Sequence, residues 1–246
     1  MSWWCSSTRQ TWTWTPKPYL GALLIVAGVI AVAIWWRTRG RLRDPQAVAA
    51  AAHRQDGTVV AGSPRGRSIA LVLGTIGLWA VLDWPLATLG AGYLATAQMV
   101  RQIVMVMVVA PLLLLACPPA LAVRAVGWGR RLAVLRFLSR PAFAVPFAAI
   151  ALIVVNAPAF VDPLIATPYG AFAMDLVWVA AGFVLWLPVQ CPHPGVRRLE
   201  GGAGICYLIG QSIVPVLPGF FMTWADFPIY RVYELAPRVA QGFDAV

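Results

Sequence analysis

Apolar residues in this chain collect in six long runs, separated by segments rich in Arg, Gly and Pro. A membrane-spanning helix needs about 20 predominantly apolar residues. On that measure the runs predict helices near Tyr19–Trp36, Ser68–Leu86, Leu94–Cys117, Pro141–Val161, Ala171–Val189 and Ala203–Trp224. None alternates apolar and polar positions with period 2, which argues against a β-barrel. The expected fold class is all-α: a polytopic membrane helix bundle of about six transmembrane helices. The bundle takes residues 19–224, flanked by a Trp-rich tail at 1–18 and a C-terminal tail at 225–246. Pro111 is expected to kink the third helix, and Pro215 and Pro218 to interrupt the sixth beside Gln211 and Ser212. Carbonyls freed by such prolines are tolerated in a bilayer only where protein or water satisfies them.

The third run departs from pure apolarity. Gln98, Arg101 and Gln102 stand at i, i+3 and i+4 and so share one helical face. A charge at the centre of a span costs roughly 2.5–3.5 kcal/mol on insertion scales and usually faces the bundle interior. Asp175 lies at a similar depth in the fifth helix. An unpaired ion in low dielectric is far costlier than a hydrogen-bonded pair, so Arg101 is expected to pair with Asp175. Gln98, Arg101, Gln102 and Asp175 form the candidate functional face.

Charge changes the picture by its placement. The net charge of +10 would suit nucleic acid, but only 11% of residues are charged, against about 25% in soluble domains. The basic residues also segregate by loop. One side holds Arg37, Arg39, Arg41, Arg43, Arg54, Arg65, Arg67, Arg124, Arg130, Arg131, Arg136, Arg140, Arg197 and Arg198. The other holds Arg9, Lys17, Arg231 and Arg238. Fourteen against four makes the first side cytoplasmic, including the basic loop 37–67, and puts both termini outside. No nucleic-acid module accompanies these arginines, so the bilayer is the expected partner and nucleic acid is not. Trp35, Trp36, Trp79, Trp84 and Trp224 fall at helix ends, as interface anchors do. The tail with Trp3, Trp4, Trp12 and Trp14 lacks the basic start and cleavage site of a signal peptide. It is expected to lie along the outer membrane surface or to dock a partner. A short helix is expected at Ala47–His53.

Cys117, Cys191 and Cys206 fall near the cytoplasmic ends of the third, fifth and sixth helices, and His193 follows in Cys-Pro-His-Pro. Thiolate and imidazole suit Cu(I) or Zn, which makes these four the candidate metal ligands. The pattern lacks close-spaced ligand pairs, and Cys also serves as a small apolar packing residue. Met99, Met174 and Met222, toward the outer ends, offer a second soft-ligand set. Cys5 stands alone outside, so no disulfide within the chain is expected.

Two segments carry a resemblance. Gln98-Met-Val-Arg-Gln, followed by Ala-Pro-Leu-Leu-Leu-Leu-Ala-Cys-Pro-Pro, resembles the third-helix signature of CtaG-type cytochrome c oxidase assembly factors. Ala171-Phe-Ala-Met-Asp, ending in Gly182-Phe-Val-Leu-Trp-Leu-Pro, is similar to the fifth-helix signature of the same family. Tyr207 and Tyr230-Arg-Val-Tyr-Glu-Leu-Ala-Pro-Arg also resemble its pattern, so the likeness runs from about Asp83 to the C-terminus. The resemblance implies a bacterial cytoplasmic (inner) membrane protein that assists biogenesis of a haem–copper oxidase. It also implies two histidine pairs that handle copper, but Gln98 and Gln102 stand at the first pair and Ala171 and Asp175 at the second. Family members usually continue into a seventh helix after an Asp-Gln motif, and this sequence ends at Phe243-Asp-Ala-Val, about where that helix would start.

The expectation is thus an oxidase-assembly-type membrane protein with no cofactor in its core, copper being the alternative that the resemblance raises. Its expected partners are subunits of a haem–copper oxidase or another respiratory complex. A stable accessory subunit is the alternative reading. A transporter has only the kinked helices and Arg101 in its favour. An enzyme is least supported, because the spans hold no nucleophile–base constellation.

Overall fold

The computed structural model describes residues 20–39, 64–224, 229–230 and 233. The Trp-rich tail, Cys5, Ala47–His53, the Met222 side chain and most of the C-terminal tail lie outside the described residues. Among the described residues all regular structure is helical. Helix α1 is Leu20–Arg39 and α2 is Pro64–Leu82, followed by the short α3, Leu86–Gly92. Helix α4, Ala95–Val104, runs through a π-helical turn, Met105–Val109, into α5, Ala110–Ala116. Two short helices, α6 (Pro119–Val126) and α7 (Arg130–Leu138), lead to α8 (Pro141–Val155) and α9 (Pro158–Ile165). Helix α10, Pro168–Gln190, is followed by α11, Gly201–Ile213, which passes through a 3₁₀ turn, Val214–Val216, into α12, Leu217–Thr223.

Proline sets many of these boundaries. Helices α6, α8, α9 and α10 carry Pro in their first turn, where its fixed φ suits the helix and its missing N–H would be unpaired anyway. The run expected as one helix over Pro141–Val161 is two. Residues before proline disfavour the α conformation, and the chain turns at Asn156–Ala157 ahead of Pro158. Pro111 does not break the third span: the helix widens into the π-turn just before it and continues. At Pro215 the sixth span tightens to 3₁₀.

Four stretches are long and apolar enough to cross a membrane: Arg65–Gly92, Ala95–Ala116, Tyr169–Gln190 and Gly201–Phe220. Helices α7 and α8, bent by 74°, make a fifth if taken as one path. The apolar part of α1, Leu20–Trp35, is shorter. The described helices therefore give four or five spans where the pattern of runs suggests six.

Helix α10 sits at the centre, packed against α5, α8, α9 and the π-turn, while α2 packs on α5 and α1 on α2. The core collects Leu78, Leu82, Met105, Val106, Leu152, Met174, Trp178 and Leu185. Lipid is as apolar as these side chains, so association of the helices depends on close packing rather than on escape from water. Glycines supply that closeness. A Cβ at Gly182 would meet Ala110 Cβ at 2.8 Å and Val106 Cα at 3.1 Å, and one at Gly74 would meet Leu113 Cδ2 at 3.1 Å.

Candidate functional site: an arginine-centred polar core

The first turns of α4 present Gln98, Arg101 and Gln102 inward, and all three are buried. Arg101 Nη2 donates to Asp175 Oδ1 on α10 at 2.9 Å, forming a buried ion pair. Arg101 Nη1 donates to Gln98 Oε1 at 3.0 Å. Its Nε donates to the Val81 carbonyl at 2.9 Å. That carbonyl needs an outside donor, because the residue four positions on is Pro85, which has no N–H. The guanidinium also lies 5.6 Å from the Trp178 ring centroid, within cation–π range.

Gln102, on the same face, ties α4 to two further elements. Its Nε2 donates to the Pro215 carbonyl in the 3₁₀ turn at 3.2 Å. Its Oε1 accepts from Asn156 Nδ2 at 2.7 Å, at the end of α8. Two tyrosines then close the assembly. Tyr230 Oη donates to the Asn156 carbonyl at 2.6 Å, and Tyr233 Oη donates to the Gly90 carbonyl. Gly90 itself must be small, since a Cβ there would lie 3.0 Å from both Arg101 Cδ and Gln98 Oε1. Tyr230 and Tyr233, which the sequence places in the outer tail, are buried in the main core. Burial pushes the Tyr230 hydroxyl up to about 12, with the nearby Asp162 adding to the shift.

The π-turn has the same logic. In its register the Val106 carbonyl would take the N–H of residue 111, which is proline. Trp186 Nε1 on α10 donates to that carbonyl instead, at 3.0 Å. Gly182, one turn earlier on α10, lets the helix approach closely enough for the bond to form.

All four residues of the candidate face are therefore buried and hydrogen-bonded, in two neighbouring groups: Gln98, Arg101 and Asp175 in one, Gln102 with Pro215 and Asn156 in the other. Val81, Asn156 and Tyr230 bond to these groups, Tyr233 packs on Tyr230, and Trp186 serves the π-turn separately; the run pattern does not mark any of them as partners. Their signal was present for the carbonyls: a proline four or five residues on marks an acceptor that has lost its donor. Ala171, one turn before Asp175, is buried and brings no polar atom.

The candidate metal ligands stand elsewhere. Cys117 ends the third span, 16 residues beyond Arg101 in sequence and so about 24 Å along the helix. Cys191 and His193 are buried and Cys206 is exposed. Burial pushes the Cys117 thiol up to about 11, helped by the nearby Cys191, and raises Cys191 as well. Burial lowers His193, whose Nδ1 accepts the Gly195 N–H at 3.0 Å while its ring meets Trp128 edge-on. At neutral pH Cys117 and Cys191 are thus protonated thiols and His193 a neutral imidazole. Among the described residues no three of His, Cys, Asp and Glu gather into a metal-binding group. Met174 is buried in the core and Met99 half-buried.

A family model described as cytochrome c oxidase caa3 assembly factor matches residues 46–245. The chain belongs to the cytochrome c oxidase caa3 assembly factor family. No curated protein and no solved structure matches it. The part that matches the caa3 assembly factors takes in α2 to α12 and Tyr230 and Tyr233, and so contains both hydrogen-bonded groups.

Proposed function

We propose that this caa3 assembly factor family member assists the biogenesis of a haem–copper oxidase in the bacterial cytoplasmic membrane, as a scaffold without a copper site of its own. It has six spans in this reading, with α1 and the bent α7–α8 path included, and both termini outside, in keeping with the fourteen-to-four split of basic residues. The observation that carries the reading is the bonding of the four positions where the family pattern has histidine. Gln98 and Asp175 are tied to Arg101, both ends of the Gln102 amide are engaged, and Ala171 has no donor atom. Such a set does not fit copper, which prefers imidazole, thiolate or thioether. It fits a clamp that holds spans in register, and on this reading the protein performs no chemistry itself.

A stable accessory subunit is the second reading, favoured by the same clamp, since an interhelical lock suits a permanent component. Deletion of the gene with complementation tests the first. Loss of assembled oxidase with only sparse co-purification in mild detergent is the expected result. Stoichiometric co-purification with the mature complex would transfer the case to the subunit, and about one tightly bound copper per chain would reject the metal-free scaffold.

A further inference from the structure

The arginine-bearing end of the bundle has a feature that the clamp does not use. Residues 118–140 contain five arginines and no Asp or Glu. Helix α7 meets α8 at 74°, so when α8 crosses the membrane α7 lies close to the membrane plane. Arg140 stands exposed at that corner with its guanidinium 5.8 Å from the Phe137 ring centroid. From there a run of rings leads along α8: Phe137 and Phe143 have centroids 4.4 Å apart, and Phe143 and Phe147 stack at 5.5 Å. The last two rings edge an open apolar groove of about 350 Å³, lined by Ala142, Phe143, Pro146, Phe147, Ile150 and Val154. Its volume lies within the range of small-molecule sites.

We infer that this groove holds one acyl chain of an anionic phospholipid whose headgroup phosphate sits at Arg140. Charge complementarity selects the lipid. A cationic corner with no carboxylate in its segment favours a phosphate diester of net negative charge over a zwitterion. Guanidinium recognises phosphate oxygens through paired donors. The groove supplies what a bare arginine cannot: an apolar track that starts beside the charge and runs along the span, as a glycerolipid's chain does beneath its headgroup. Arg136 is fixed beside this corner by its Nε bond to the Gly195 carbonyl at 2.9 Å, leaving its outer nitrogens to add to the field. The inference needs α8 to be embedded in the bilayer and is independent of any role in oxidase assembly.

The test is lipid retention. The protein is reconstituted into nanodiscs of mixed phosphatidylglycerol and phosphatidylcholine, extracted in mild detergent, and its bound lipid counted by native mass spectrometry. About one phosphatidylglycerol per chain should survive, in preference to phosphatidylcholine. Arg140→Gln should lower that preference about fivefold, the effect of one arginine at an anionic surface. Ala142→Trp fills the mouth of the groove and should reduce retention with Arg140 intact. Arg197→Gln removes the same charge from another exposed loop position and should change nothing. Equal retention of the two lipids, an equal loss with Arg197→Gln, or unchanged retention with Ala142→Trp would each overturn the site. Competition by soluble glycerol phosphate would overturn the acyl-chain component.

Discussion

Replacing Arg101 with alanine removes three hydrogen bonds that end on three different acceptors. Asp175 is left buried without a counter-charge, Gln98 Oε1 loses its donor, and the Val81 carbonyl cannot turn to residue 85 because that residue is proline. Breaking a buried ion pair from one side costs roughly 3–5 kcal/mol, most of it the uncompensated charge. Asp175→Ala is milder, because the guanidinium keeps the Val81 and Gln98 acceptors and the face of Trp178. In the double variant no charge remains buried, and the loss falls to the two orphaned acceptors at about 1–3 kcal/mol each. Arg101→Ala with Asp175→Ala should thus be no worse than Arg101→Ala alone, and should fall short of the summed single losses by about 1–3 kcal/mol. Unfolding in mixed micelles with rising SDS, followed by far-ultraviolet circular dichroism, measures all four corners of this cycle. Losses that add to within about 0.5 kcal/mol would refute the coupling, and with it the clamp.

Three further outcomes can be checked by the same unfolding assay. Trp186→Phe leaves the Val106 carbonyl bare and should cost about 1–3 kcal/mol; adding Pro111→Ala returns an N–H to that register and should recover part of the loss. Gly182→Val drives a side chain into Ala110 and Val106 and should cost about 1–3 kcal/mol, whereas Gly210→Ala meets nothing within 4 Å and should be neutral or slightly stabilising. Tyr230 has its ordinary value of 10.0 when unfolded and about 12 when folded, so only the unfolded chain releases this proton in between. Its stability contribution is complete below pH 10.0 and is lost as pH rises toward about 12, so Tyr230→Phe should flatten that stretch of the alkaline stability profile.

The Arg101–Asp175 pair was legible in the sequence because depth and charge are linear properties of a span. Gln98 followed from its helical spacing to Arg101. Asn156 was not legible as a partner of Gln102, since the fourth run reads as one helix through Val161, which hides the turn at which Asn156 meets α4. Tyr230 and Tyr233 read as tail because they follow the last apolar run, yet their rings pack into the core and their hydroxyls cap the ends of α8 and α3. Pro111 and Pro215 announced irregular backbone but not its form, a π-turn before the one and a 3₁₀ turn at the other, while the new helix that starts at Pro158 was not foreseen. The choice among those forms is made by neighbours, such as Trp186 beside the Val106 carbonyl, and no local pattern encodes it.

The bonds from Arg101 to the Val81 carbonyl and from Trp186 to the Val106 carbonyl bear on how such a protein varies over evolution. Each donor answers a proline on another segment of the chain, Pro85 in the turn after α2 for Arg101 and Pro111 on α5 for Trp186. Proline and donor therefore form a heritable unit even though their side chains need not touch. In a relative where residue 111 regains its N–H, the tryptophan is released from its hydrogen-bonding duty. One that keeps the proline but loses the indole must find another donor or abandon the π-turn.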